Sequence, residues 1–329
     1  MSRVLVTGAN GFLAVNTIIE LLKRGYTVRG MLRNTARLAA GHENLTPFYG
    51  CITEEADVLE AVRGCEIVIH TAAATNQSFT SYRCYEKVNV AGTRNVIRAS
   101  LKHKVKKVIY VSTANAFGYG TKTDPGDETR PMEHPYTGSG YAVSKARAQQ
   151  MILKELKGSG TGITVVNPTF LIGPNDHKIS SNRIIIRALG KRILFIPPGG
   201  KNFIHVNDAA KGICNAIEAG ADGECYLLAG KNLTYREFYT LTGDLLKPKP
   251  FLITIPSSLL LIAGLGGTFA RLAGINTALS ITNMKILSVG NYYSAGKAVK
   301  FLRLPQTSIK TAIQDTITWL EKKSSFSNL

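Results

Sequence analysis

The chain has 329 residues, 44 % of them hydrophobic and 19 % charged, so it can bury a large core, which excludes a disordered chain. Its formal charge of +18 comes from lysines and arginines spread along the chain with no nucleic-acid motif beside them. That excludes nucleic acid as the expected partner and leaves a generally basic proteome as the simplest reading, ahead of attraction to an anionic membrane or cofactor.

The five cysteines, Cys51, Cys65, Cys84, Cys214 and Cys225, are odd in number and form no CxxC pair. A disulfide framework and a metal site are therefore not expected, and a reducing, cytoplasmic setting is. The Asn-X-Ser/Thr matches at Asn44, Asn76 and Asn232 then count as chance.

In chain order, Arg3–Thr7 reads as a buried strand because glycine interrupts its apolar run too early for a secretory signal. Further strands are predicted at Thr27–Leu32, Thr46–Tyr49, Glu66–Thr71, Lys107–Ser112, Ile163–Asn167 and Cys225–Leu228. Amphipathic stretches at 11–24, 54–63, 88–103 and 141–157 alternate with them. This alternation predicts βαβ units, hence an α/β fold with a Rossmann-type doubly wound parallel sheet. Beyond Pro168, Gly- and Pro-rich loops loosen the pattern, with helices expected at 207–219, 234–246 and 307–322.

The expected division is a dinucleotide-binding domain over 1–167, to which 203–229 returns. A smaller substrate-binding region is expected over 168–202 and 230–329. Phe251–Ala270 carries no charge, but Pro256, Gly264, Gly266 and Gly267 interrupt it. It reads as substrate-domain core or an apolar lid rather than a spanning helix, and leaves peripheral membrane contact open.

The first strand runs into Thr7-Gly8-Ala9-Asn10-Gly11-Phe12-Leu13-Ala14. Gly8 permits a tight turn, Gly11 lets the backbone approach a pyrophosphate, and Ala14 is small enough for close helix–strand packing. Free N–H groups around Asn10, Phe12 and Leu13 would face the phosphates. The second strand ends Leu32-Arg33-Asn34, without the carboxylate that would hold a ribose 2′-hydroxyl. Arg33, with Arg37 as a second partner, suits a 2′-phosphate and so predicts NADPH over NAD. The competing reading makes Arg33 the cap of a solvated strand end.

Tyr141-Ala142-Val143-Ser144-Lys145 opens a predicted helix, where i, i+4 spacing puts both side chains on one face. An ammonium beside the phenol would lower its pKa and ready it for general acid–base work, and it could also hold a nicotinamide ribose. Thr113 follows the strand 107–112, where residues face the ligand crevice, and could position a substrate oxygen. Its competing role is turn capping. The same Tyr-x-x-x-Lys spacing recurs at Tyr293–Lys297, far from any fingerprint, and is read as structural.

Together these motifs resemble the extended short-chain dehydrogenase/reductases, the NAD-dependent epimerase/dehydratase superfamily. Within it the dihydroflavonol reductase and 3β-hydroxysteroid dehydrogenase-like branch is the most similar. The resemblance continues through His70-Thr71-Ala72-Ala73, Val88–Val96, Val111–Gly118, Asn167–Pro174 and Phe203–Asp208. It implies Thr113, Tyr141 and Lys145 as the catalytic trio, Pro168 lining the nicotinamide and Ala72 near the adenosine ribose. It also implies that Asn89 supports the site, against the bland reading of a buried asparagine tying two strands.

One departure stands out. Gly50-Cys51-Ile52 lacks the family's adenine-binding Asp, so adenine recognition is expected to lean on backbone around Cys51 and Ile52. Asn167 replaces a frequent Arg before Pro168, which weakens the case for a sugar nucleotide. His177, Arg183 and His205 are candidates for the substrate pocket.

The resulting expectation is an NADPH-dependent oxidoreductase that interconverts a carbonyl and a secondary alcohol on a small apolar molecule. The alternatives are a nucleotide-sugar epimerase/dehydratase and an NADPH-sensing binding protein. Relatives of this kind are often homodimers.

Overall fold

The computed structural model describes residues 2–33 and 41–327. Its centre is a seven-stranded, all-parallel sheet. The first six strands are β1 (Arg3–Thr7), β2 (Thr27–Leu32), β3 (Leu45–Tyr49), β4 (Ile67–His70), β5 (Lys107–Val111) and β6 (Gly162–Pro168). Three short strands follow, β7 (Phe170–Ile172), β8 (Ile193–Ile196) and β9 (Gly200–His205), before β10 (Glu224–Leu228) returns to the central sheet. The remaining strands are β11 (Lys231–Thr234), β12 (Phe251–Thr254) and β13 (Gly290–Asn291).

The central order is β3-β2-β1-β4-β5-β6-β10, so the winding reverses between β1 and β4 and opens a crevice at their carboxyl ends. Helices cover both faces, which is why the strands read as continuous apolar runs rather than alternating ones. In β1, Val4 and Val6 face a core shared with Ile18, Leu21 and Ile213. Leu5 faces the opposite core, with Val58, Val62, Ile97, Ala148 and Ile152.

The loosened C-terminal half builds more regular structure than its sequence pattern announced. β9 pairs with β7, β11 and β13, while β8 and β12 form a separate parallel pair. The uncharged stretch 251–270 divides at Pro256 into β12 and a helix, Ser257–Leu272. Among the described residues, no helix is long and apolar enough to cross a membrane.

The predicted helix at 88–103 is also two pieces, a π-helical turn Glu86–Ala91 running into an α-helix Gly92–Lys102. Such turns widen the helix locally and re-aim side chains, here Asn89.

Candidate active site

The crevice collects what the strands deliver at their carboxyl ends: Gly8, Arg33, Cys51, Thr71, Ser112 and Pro168 follow or end β1 to β6. Gly8 adopts φ +66°, and a Cβ there would sit 2.8 Å from the Ala72 Cα, so turn and close packing both require glycine. The Gly11 amide donates to the Gly8 carbonyl at 2.8 Å and starts the helix Phe12–Lys23. That helix has no capping side chain and no acid in its first turn. Its leading N–H groups are thus left for an anion, the chemistry a dinucleotide pyrophosphate supplies.

Beneath the turn runs a buried polar chain. The Ala72 amide donates to Thr7 Oγ1 at 3.2 Å, and Thr7 Oγ1 lies 2.7 Å from His70 Nδ1. His70 Nε2 lies 3.0 Å from Thr93 Oγ1, which donates to the Asn89 carbonyl at 2.6 Å. With the Thr7 hydroxyl donating, His70 is neutral with its proton on Nε2. Burial, aided by the Lys145 cation, pushes its pKa down to about 3.

At the adenosine end Arg33 is exposed, and Lys178 reaches in from the loop after β7 to donate to Asn10 Oδ1 at 3.1 Å. The Lys178 ammonium is disfavoured by burial and then by the Arg33 cation, so two positive groups share this edge. Arg37 lies outside the described residues. After β3, Asp57 accepts the Cys51 amide at 2.7 Å, and the Ile52 carbonyl accepts from Asn95 at 3.1 Å. Two of the backbone groups expected to read adenine are therefore already bonded within the protein.

Ser139 caps the helix Gly140–Leu156, which carries Tyr141 in its first turn and Lys145 one turn on. Burial raises the Tyr141 pKa, and the nearby Thr113 side chain offsets part of that rise. Thr113 Oγ1 itself accepts the Asn115 amide at 3.3 Å, the turn-capping role. Lys145 is buried one turn beyond Tyr141 on the same helix. Its Nζ donates to the Val111 carbonyl at 2.7 Å and lies 4.2 Å from the Tyr110 ring centre. The reason is burial: at 1 % exposure the ammonium takes the nearest carbonyl and π face, and its pKa falls to about 7. One of three N–H donors is thereby used, which leaves the others suited to ribose hydroxyls.

Asn89 holds this centre together. Its amide exchanges hydrogen bonds with the Ala74 backbone at 2.7 and 3.1 Å and donates to Ser144 Oγ at 2.8 Å. It ties the loop after β4 to the first turn of the helix bearing Tyr141, not one strand to another. Asn167 in turn donates to the Thr113 carbonyl at 2.9 Å and to Gln149 at 2.8 Å.

Beside Thr113 lies a cavity lined also by Tyr136, Pro168, Phe170, Lys201 and Tyr293. Lys201 lies 5.5 Å from the Phe170 ring centre, and burial pushes its pKa down to about 8. The hydroxyls of Tyr136 and Tyr293 have no protein partner among the described residues. Tyr136 and Lys201 were not singled out from sequence and Tyr293 was read as structural, although Lys201 follows the turn-forming Pro197-Pro198-Gly199-Gly200.

His177, Arg183 and His205 do not line this cavity. His205 Nδ1 caps the helix Val206–Ala219 and its Nε2 meets Asp315 at 3.1 Å. His177 packs edge-on against Trp319, and Arg183 is exposed.

The family model for the NAD dependent epimerase/dehydratase family matches residues 4–229. A putative dihydroflavonol 4-reductase of Synechocystis sp. is 30 % identical, with 96 % of this chain and 94 % of that protein covered. A 4-hydroxy-2-methyl-3-oxo-4-farnesyl-3,4-dihydroquinoline-1-oxide ketoreductase of Stigmatella aurantiaca is also 30 % identical, over 73 % of this chain and 72 % of its own. The crystal structure of gox2253 superposes with a TM-score of 0.84 at 28 % identity, covering 98 % and 99 % of the two chains.

Proposed function

The chain belongs to the NAD dependent epimerase/dehydratase family, as an NAD(P)-dependent enzyme of the extended short-chain type, and we propose that it is an NADPH-dependent carbonyl reductase. The observation that carries this is the Tyr141–Lys145 pair on the helix Gly140–Leu156, with Lys145 buried and bonded to the Val111 carbonyl at the end of the strand that leads to Thr113. The bound nicotinamide would supply or accept the hydride. Thr113 holds the substrate oxygen, and Tyr141 gives that oxygen its proton in reduction or removes it in oxidation. Lys145, anchored to Val111, presents its remaining donors to the ribose and fixes the distance between cofactor and phenol.

Support for NADPH comes from the Arg33 and Lys178 cations, which suit a 2′-phosphate. Arg33→Asp is expected to weaken NADP binding by about 1.5–3 kcal/mol while sparing NAD. Unchanged NADP affinity would falsify the assignment.

The substrate is read as small and apolar, in keeping with the farnesylated substrate named for the Stigmatella relative. Peripheral membrane contact through 251–270 belongs to the same proposal. A nucleotide-sugar epimerase is the second reading, favoured by Lys201 and the unpartnered tyrosine hydroxyls beside Thr113, which suit an anionic, hydroxyl-rich ligand.

A panel of ketones and aldehydes with NADPH and NADH, run beside Tyr141→Phe, separates the two. Sustained NADPH consumption that Tyr141→Phe abolishes supports the reductase. Sugar interconversion with no net cofactor turnover overturns it.

A further inference from the structure

Strands β8 and β12 read Ile-Leu-Phe-Ile and Phe-Leu-Ile-Thr and pair in parallel, Ile193 against Phe251 and Phe195 against Ile253. Leu194 and Ile196 point into a core with Ile185 and Phe238. The other side of this two-stranded sheet carries Ile193, Phe195, Phe251 and Ile253, exposed by 55, 64, 70 and 36 %. A sheet face open to water is ordinarily polar, and this one has no polar side chain on it.

The chain then passes through Pro256 into the helix Ser257–Leu272, which is amphipathic in the reverse sense. Its buried positions include Gly264 and Gly267. A Cβ at Gly264 would sit 3.0 Å from the Ile281 Cα, and one at Gly267 would collide with the Leu279 carbonyl. The glycines let this helix lie directly on the 279–284 backbone. Its larger side chains are left outside: Leu259, Ile262, Leu265, Phe269 and Leu272 are exposed at three- to four-residue spacing, one stripe of a helix.

Lysines and arginines are spread along the chain, but acids are not. No Asp or Glu occurs between Asp176 and Asp208, where six lysines and arginines fall, or between Asp244 and Asp315, where eight do. Lys191 and Arg192 immediately precede β8, and Lys247 and Lys249 precede β12. Because the strands are parallel, all four cations enter at the same end of the apolar sheet. Of these, Lys249 is paired with Asp244 at 2.6 Å. Lys191, Arg192 and Lys247 have no ion-pair partner among the described residues and are exposed.

We propose that the outer face of β8–β12 and the stripe of helix Ser257–Leu272 form a docking surface for an anionic lipid bilayer. The apolar side chains enter the headgroup–acyl boundary, and the cations at the strand entrance meet lipid phosphates. A second copy of the chain fits less well, because its same face offers no acid to the unpaired cations: no Asp or Glu lies between 176 and 208 or between 244 and 315. The inference deepens the peripheral contact proposed above and stands apart from the cofactor assignment.

The test uses the full chain and flotation with vesicles of mixed phosphatidylglycerol and phosphatidylcholine, against phosphatidylcholine alone. Binding is expected to the mixed vesicles, to weaken as salt is added, and to be at least tenfold poorer on neutral ones. Phe195→Ser with Phe251→Ser should lower partitioning at least tenfold. Lys191→Gln, Arg192→Gln and Lys247→Gln should each cost roughly fivefold. These positions are exposed, so thermal melts should match the parent. No binding to anionic vesicles at low salt, or binding indifferent to the phenylalanines, overturns the proposal, as does a dimer in sedimentation velocity that the double serine variant dissolves. NADPH oxidation on a water-soluble carbonyl, measured without vesicles, is read separately. Docking lost with that activity intact sinks only this surface, and activity absent with docking intact sinks only the reductase.

Discussion

The spacing Tyr-x-x-x-Lys occurs twice in this chain, and the fold builds different things from the two copies. At 141–145 both residues belong to one helix that crosses behind β5. The lysine is buried against the Val111 carbonyl and the Tyr110 ring, with the tyrosine one turn before it. At 293–297 the helix, Gly296–Leu302, begins only after Tyr293, so the spacing places nothing on a common face. Tyr293 is buried and lines the cavity, while Lys297 goes to Glu224 at 2.6 Å and lies over the Tyr226 ring. Four residues of spacing put two side chains on a common face only where one helix turn spans them.

The largest expected effect tests that contrast at the phenols. Tyr141→Phe should lower kcat roughly 10²- to 10⁴-fold, the usual contribution of a positioned proton donor, whereas Tyr293→Phe should move KM and leave kcat within a fewfold. Equal losses in kcat at both sites would erase the distinction.

The lysines come next. Lys145→Met should cost about 1.5–3 kcal/mol in kcat/KM for the dinucleotide, as a charged hydrogen-bond donor is lost. A pH titration sharpens the same point, because the first copy sits on a buried neutral histidine. His70 titrates near 6.5 when unfolded and at about 3 in the fold. Between those values the unfolded chain binds a proton that the fold refuses, so stability falls as pH drops below 6.5. The slope is at most about 1.4 kcal/mol per pH unit. Urea midpoints at pH 7 and 5 should show that loss, and His70→Gln should flatten it. An identical slope in the variant would remove His70 from the account.

The smallest effect belongs to the second copy. Lys297→Met breaks a partly exposed ion pair and should change stability by no more than about 1 kcal/mol, with kcat untouched.

Periodicity and local motifs made the central fold legible. Apolar runs of strand length alternating with amphipathic stretches specify a parallel sheet, and Gly8, Gly11, Tyr141 and Lys145 announce themselves by spacing and by the elements that flank them. β7, β8, β9, β11, β12 and β13 were not legible, because they are short and, unlike the equally short strands of the central sheet, do not alternate with amphipathic helices in a βαβ rhythm. Asn89 shows the intermediate case: its position in a motif was visible, but the π-turn that aims it at Ala74 and Ser144 was not.

By itself, then, the sequence determined the backbone plan and the residues that plan places at strand ends, since both depend on near neighbours in the chain. Only the tertiary structure decided where each polar group finds its partner. It turned Lys145 toward Val111, put His70 between two threonines, brought Lys178 to Asn10 and Lys201 beside Thr113, and left the phenylalanines of β8 and β12 facing outward. The hydrogen bonds among these contacts join residues 23 to 168 positions apart, and burial, not spacing, sets their chemistry.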